Sequence, residues 1–207
     1  MQHARIRALR AADVAEALEM FAEVAAEGIW LGTQAGFDRH VRRQAWLDGL
    51  ADPSVRSLVV EEVGPPRLVG QGIVRVARYG VAELGMNLAA DARGRGLGGQ
   101  LLDELLAGAG ELGAHKAELQ VWPHNEPAIR LYLSRGFIVE GRVRSHYRRA
   151  SGEVWDAILM GRLLDQAPPD SARGSGLPDA PGLPASIPIT HPGGPGSQGS
   201  GTRNRRP

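Results

Sequence analysis

Residues 84–137 spell out one supersecondary unit: an apolar strand, a loop rich in glycine and arginine, a leucine-striped helix, a second strand and a short capped helix. The loop reads Asp91-Ala92-Arg93-Gly94-Arg95-Gly96-Leu97-Gly98-Gly99. Its glycines let the backbone turn and bring amide groups close to a ligand. The helix after it offers unpaired N-terminal N–H groups and the positive end of its dipole, so an anion is favoured there. Arg93 and Arg95 add guanidinium donors that match phosphate oxygens in geometry as well as charge. The unit therefore predicts a pyrophosphate site and a strand–helix–strand crossover that any fold of this chain has to accommodate.

Composition sets two domain-level expectations. From Asp165 to Pro207 the chain has 9 prolines and 8 glycines in 43 residues, with Leu177, Leu183, Ile187 and Ile189 as its only large apolar side chains. Such a segment buries too little apolar surface to offset its ordering entropy, so 165–207 reads as a disordered tail and 1–164 as one domain. The tail ends in Arg203-Asn204-Arg205-Arg206, most simply a solvated basic terminus. The net charge of +1 provides no field to steer the protein to nucleic acid or an anionic membrane. No cysteine is present, which excludes disulfides, thiolate metal sites and cysteine nucleophiles, and His115, His124 and His146 lack metal-ligand spacing. No metal is expected. The N-terminus lacks the apolar core of a signal peptide, and no apolar run approaches the roughly 18 residues of a membrane span. A soluble, cytoplasmic protein is the expectation.

Periodicity gives the remaining elements. Residues 4–9 read as a strand, and Asp13 caps a helix with Val14, Leu18, Phe21 and Val24 or Ala25 on one face. The stretch 28–36 is apolar, punctuated by glycine and irregular, hence a loop. Asp38 opens a second helix with Val41, Ala45, Trp46 and Leu50 on one face, and Asp52-Pro53 stops it. Strands at 57–63 and 67–78 form a hairpin, and Tyr79-Gly80 leads into a third strand at 81–89. After the loop come a helix carrying Leu97, Leu101, Leu105 and Leu112, a strand at 116–122, a helix with Asn125 as N-cap, and a hairpin of 137–147 with 154–163. The order β-α-α-β-β-β-α-β-α-β-β is an α/β (α+β) arrangement, a mixed sheet with helices packed on it.

Taken alone, the loop leaves two other readings open. It is compatible with a glycine-rich surface turn that binds nothing. It also resembles a Rossmann-type dinucleotide-binding fingerprint, with Glu118 near the place of the ribose-binding acid. Against the latter, Glu118 is mid-strand, and the chain has a single crossover preceded by an antiparallel meander. The residues C-terminal to the loop are more specific. Arg93-x-x-Gly96-x-Gly98 is succeeded, 27 residues past Gly98, by Asn125-x-x-Ala128-x-x-Leu131-Tyr132-x-x-x-Gly136-Phe137. These two motifs in this order resemble the GNAT superfamily of acyl-CoA-dependent N-acetyltransferases, over roughly residues 5–164.

The resemblance implies a mostly antiparallel central sheet with helices on both faces, and acetyl-CoA as co-substrate. Arg93, Gly94, Arg95, Gly96, Leu97 and Gly98 would hold its pyrophosphate. The backbone of Leu88, Ala89 and Ala90 would pair with the pantetheine arm and polarise the acetyl carbonyl, and Asn125 would contact the arm. Ala90 and Ala92 depart from the family, which often has proline and a large or aromatic residue there. Tyr132 looks like the tyrosine that protonates the departing thiolate; without the motif it would read as a core tyrosine.

Glu83 emerges from the residues themselves as well. In strand 81–89, Leu84, Met86 and Leu88 alternate onto one face and leave Glu83, Gly85 and Asn87 on the other. That polar face is either simply solvated or the route to the acetyl group. Ala82-Glu83-Leu84 is similar to the base-bearing segment of the histone-acetylating branch, which implies that Glu83 takes the amine proton through water. Trp30, Glu83 and Asn87 are the candidate acceptor contacts: the resemblance implies that the region around residues 28–37 covers the acceptor site, and Glu83 and Asn87 lie on the polar face of strand 81–89. The terminal hairpin looks like the branch of polyamine and ribosomal-protein N-terminal acetyltransferases. Residues 28–37 hold no carboxylate, however, which argues against a polyamine.

The expected activity is therefore direct acetyl transfer, in a ternary complex, from acetyl-CoA to a primary amine of a small molecule or a peptide or protein N-terminus. The other class is a non-catalytic acyl-CoA sensor of the same fold. No nucleic acid or membrane partner is expected. The edge strands of the final hairpin could pair two copies into a homodimer.

Overall fold

The computed structural model describes residues 4–164. The tail 165–207, with its terminal arginine cluster, lies outside the described residues. Seven strands and four helices keep the order read from the sequence: β1 (Ala4–Ala8), α1 (Val14–Ala26), α2 (Arg39–Ala51), β2 (Val55–Val63), β3 (Pro66–Val76), β4 (Val81–Leu88), α3 (Leu97–Glu111), β5 (Lys116–Val121), α4 (Glu126–Ser134), β6 (Ile138–Arg148) and β7 (Val154–Leu163). The sheet order is β1-β2-β3-β4-β5-β7-β6. Every pairing is antiparallel except β4 with β5. That one parallel pair needs a crossover, which α3 supplies.

Helices cover both faces of the sheet. On one side α3 buries Leu97, Leu101, Leu102, Leu105 and Leu106. A Cβ at Gly72 of β3 would overlap the side chain of Leu105, so the strand keeps a glycine where the helix comes closest. On the other side α1 and α2 close over Val59 and Leu68 with Val14, Ala17, Trp46, Leu47 and Leu50. Among the described residues, no helix is long and apolar enough to cross a membrane.

Two local readings differ from the structure. The inward face of α2 carries Arg42, Trp46 and Leu50, whereas Val41 is 61% exposed. The helix is rotated because the Arg42 guanidinium lies over Phe21 and Phe37, at 5.3 and 5.7 Å, and Trp46 packs edge-on to Phe21. Asp13 occupies the expected N-cap position of α1, but its side chain does not cap that helix. Its oxygens accept instead from Arg7, at 2.6 and 2.9 Å, and from the Arg10 N–H, at 2.8 Å.

Candidate functional site

The glycine loop ends in an open helix terminus. Gly94 and Gly96 have φ of +71° and +81°, a region that L side chains enter only at a cost, and Gly96 is the N-cap residue of α3 without a side-chain cap. Among the described residues, the N–H groups of Gly94, Arg95, Gly96, Leu97 and Gly98 have no acceptor. Five amides beside the positive end of a helix dipole form a cradle for an anion. Gly98 faces Leu131, Leu88 and Met86, which a built Cβ would meet at ordinary contact distances of 3.4 to 3.7 Å.

The loop arginines are not loose. Arg95 donates to Glu62 Oε1 at 2.7 Å, and Glu62 is only 4% exposed. Arg67 bridges Glu62 and Asp91 at 3.1 and 2.7 Å, so both ends of the loop are tied to one buried carboxylate at the end of β2. The Arg95 hydrogen bond holds the Glu62 carboxyl below its usual range, against the opposing effect of burial. Arg93 forms a two-pronged pair with Glu27, at 2.7 and 2.6 Å, lies over the Trp30 ring at 5.3 Å and donates Nε to Leu88 O at 3.1 Å. The two arginines therefore brace the loop, and the donors left without a partner among the described residues are its backbone amides and the Nε and Nη2 of Arg95.

Next to the loop, the sheet opens. β4 and β5 pair only from Val81/Lys116 to Glu83/Glu118, although β4 continues to Leu88 and β5 to Val121. The phase of the β3–β4 ladder sets what faces the opening. Ala89 N–H donates to Val69 O, and Val81 O accepts from Ala77, so the odd-numbered residues of β4 direct their backbone groups to β3. Met86 and Leu88 direct theirs toward the β5 side, where no ladder forms. Of the expected Leu88–Ala90 stretch, Leu88 offers its N–H to this edge, whereas the Ala89 amide is committed to β3. Met86 escaped the sequence reading because residue alternation gives side-chain faces and not the direction of backbone donors.

α4 borders the same opening. Asn125 is its N-cap as expected, with Oδ1 accepting from Ala128 N–H at 3.3 Å. Tyr132 is buried against Phe137, with ring centroids 5.7 Å apart, and its hydroxyl makes no hydrogen bond among the described residues. Burial pushes its pKa up to about 12, further above neutral pH than an ordinary tyrosine's.

The polar face of β4 lies on the opposite side of the sheet from α3. Glu83 is exposed, opposite Arg75 on β3 and Glu118 on β5. Burial raises the pKa of Glu118; Lys116, 3.9 Å away, acts against this and the Glu83 charge adds to it. Gly85 is open, its built Cβ meeting only Ile73 at 3.8 Å. Asn87 Oδ1 is buried with no partner among the described residues. An unpaired buried amide oxygen costs about 1–3 kcal/mol, so the position suits a ligand donor.

Trp30 sits at the junction of the two regions. Its indole N–H donates to Glu27, its ring lies beneath Arg93, and its carbonyl accepts from Trp122 Nε1 at 3.1 Å. The loop between α1 and α2 is thereby fixed to the glycine loop on one side and to the end of β5 on the other.

Comparison with known proteins agrees with this geometry. Residues 15–137 match the Acetyltransferase (GNAT) family. The chain is 31% identical over 130 residues to the L-amino acid N-acetyltransferase AaaT of Escherichia coli K12, covering 60% of this chain and 78% of that one. Among solved structures it is similar to the Salmonella typhimurium protein yncA with its cofactor acetyl-CoA, at 25% identity over 80% of this chain and 97% of that one, with a TM-score of 0.69. It is also similar to the ribosomal-protein-alanine N-acetyltransferase of Brucella melitensis, at 26% identity over 77% and 99% of the two chains, with a TM-score of 0.69. A family match across residues 15–137, on a seven-stranded sheet whose one parallel pair parts beside an open helix terminus, makes this chain a member of the GNAT family and an N-acetyltransferase.

Proposed function

We propose that the protein acetylates the primary amine of an amino acid or an amino-acid-like small molecule, by direct attack of the amine in a ternary complex with acetyl-CoA. The observation that carries this reading is the parting of β4 and β5 after Glu83/Glu118, which leaves an unpaired strand edge running toward the unpaired amides of Gly94–Gly98. One edge for an extended, amide-bearing arm and one cradle for a diphosphate, joined end to end, fit acetyl-CoA and need no metal. The amino-acid acceptor rests on the likeness to the Escherichia coli L-amino acid acetyltransferase. The absence of carboxylates from 28–37, which leaves a second ammonium group without a counter-charge there, supports the same choice.

Acetyl-CoA supplies the activated acetyl thioester. One N–H of the open edge, that of Met86 or of Leu88, donates to the carbonyl oxygen as it gains negative charge, and the other, two residues along the strand, is left for the extended arm. Glu83 takes a proton from the amine through water, and Glu118 beside it keeps a second carboxylate close to that proton. Asn87 Oδ1 accepts an N–H of the acceptor. Tyr132, a phenol that is protonated at neutral pH, gives its proton to the departing sulfur. The products are an N-acetyl amide and the free thiol of coenzyme A, so protons balance across Glu83 and Tyr132.

The test is thermal stabilisation by acetyl-CoA, with NAD as control, and then thiol release across amino acids, peptides with free N-termini and polyamines. Acetyl-CoA should raise the melting temperature, NAD should not, and amino acids should give the fastest release. Stabilisation without turnover on any amine would replace this reading by an acyl-CoA sensor.

A further inference from the structure

The segment 28–32 of the α1–α2 loop has no secondary structure of its own, yet each of its five successive carbonyls accepts a hydrogen bond from a side chain far along the chain. Gly28 O accepts from Arg149 Nη2 at 2.9 Å; Leu31 O and Gly32 O accept from Arg149 Nη1 at 3.0 and 3.2 Å. Trp30 O accepts from Trp122 Nε1 at 3.1 Å. Ile29 O lies 2.9 Å from His124 Nε2, and because a carbonyl only accepts, this contact places the ring proton on Nε2.

Arg149 is the unusual member of this set. It is 6% exposed, and no carboxylate pairs with it among the described residues. A buried cation without a counter-ion is costly and persists where dipoles or π-faces replace water. Three carbonyls do so here, together with the Trp155 ring, whose centroid is 4.2 Å from the guanidinium. Trp155 in turn packs edge-on against Trp122 and His124, at 5.5 and 4.7 Å. The three donors and their shared ring form one unit, built from the end of β5 and the β6–β7 hairpin.

That unit borders the polar face of β4. A Cβ on Gly32 would lie 3.7 Å from Tyr147 and 3.8 Å from Trp122. The Tyr147 hydroxyl donates to Gln120 at 3.1 Å, and Gln120 shares its strand face with Glu118, the register partner of Glu83. We infer that Arg149 is a positioning residue for the acceptor: by gripping three of the five carbonyls it fixes residues 28–32 as one wall of the acceptor site and so sets which amines reach Glu83. With all five carbonyls already accepting from internal donors, each has only one lone pair left and is held facing the protein, so the wall is a poor counterpart for a second ammonium group and favours acceptors with a single amine. This inference rests on the proposed acetyltransferase function.

Steady-state kinetics of the full chain with the best amino-acid acceptor, with spermidine and with acetyl-CoA decide it. Arg149→Met should raise the acceptor KM about tenfold while the KM for acetyl-CoA and its thermal stabilisation stay within about twofold, because a loosened wall affects approach and not donor binding. Spermidine should gain relative to the amino acid as the carbonyls are released. Arg149→Lys should fall between, since an ammonium cannot span three carbonyls. If Arg149→Met fails to fold, His124→Ala, at an exposed residue, loosens the same wall and should shift the acceptor KM about twofold in the same direction. An unmoved acceptor KM in the folded variants, or equal changes in both KM values, would overturn the role of Arg149 alone. No turnover by the unsubstituted protein on any amine would overturn the acetyltransferase reading and this inference with it.

Discussion

The glycine loop and the 28–32 wall are both irregular segments beside the same opening in the sheet, yet they are held in opposite ways. The loop leaves its amides free: among the described residues Gly94 to Gly98 have no acceptors, and the positive φ of Gly94 and Gly96 shapes the turn that carries them. The wall turns its carbonyls inward, onto Arg149, His124 and Trp122, side chains about 90–120 positions away. Free donors suit a chemically constant diphosphate, whereas a wall held by distant side chains can change shape when those side chains change. The difference suggests why the donor half of such a site reads out of a short motif and the acceptor half does not.

Substitutions on either side should separate the two halves. Tyr132→Phe has the largest expected effect: turnover falls roughly a hundredfold with both KM values little changed, because only the proton to the departing thiolate is lost. Turnover equal to that of the unsubstituted protein would remove Tyr132 from the chemistry. Glu83→Gln should lower the rate at neutral pH by about tenfold and abolish the acidic limb of the kcat/KM profile. A surviving limb would move the base role to Glu118, whose pKa burial already raises.

Gly96→Val should weaken acetyl-CoA binding about fivefold or more and leave the acceptor KM in place. The residue has φ of +81°, where a side chain costs about 1–2 kcal/mol, and nothing within 4 Å of its built Cβ adds a clash. Isothermal titration with acetyl-CoA reads this directly, and equal weakening of both substrates would erase the distinction between the two halves. The smallest effect lies away from both. Hydrogen bonds from Arg7 and then Arg5 lower the Glu61 pKa from its ordinary 4.5 to about 2. A depressed carboxylate contributes stability above the unfolded value that is lost as pH falls through the folded one, so the protein should lose stability between about pH 4.5 and 2. Arg7→Met should flatten that part of the acid denaturation curve without changing either KM.

Much of the fold was legible because its signals are local. The Leu97–Leu106 stripe marks a helix lying on a sheet, Asn125 with Pro127 marks a helix start, and the two motifs at their spacing fix the crossover between β4 and β5. The inward face of α2 was not legible, since Arg42 turned inward only because Phe21 and Phe37, from other elements, offered it a π-face. Glu62 was invisible for the same reason: a lone glutamate in a strand gives no sign that Arg95 and Arg67 will converge on it.

The sequence by itself determined the order of elements, the glycine turn with its helix terminus, and the family to which the motifs point, because each depends on residues within a few turns of one another. Only the tertiary structure decided that Arg93 and Arg95 brace the loop, that Met86 and Leu88 face the opening, and that Arg149 grips residues 28–32. Those arrangements depend on ladder phase and on buried partners distant in the chain, and the folded core alone brings them together.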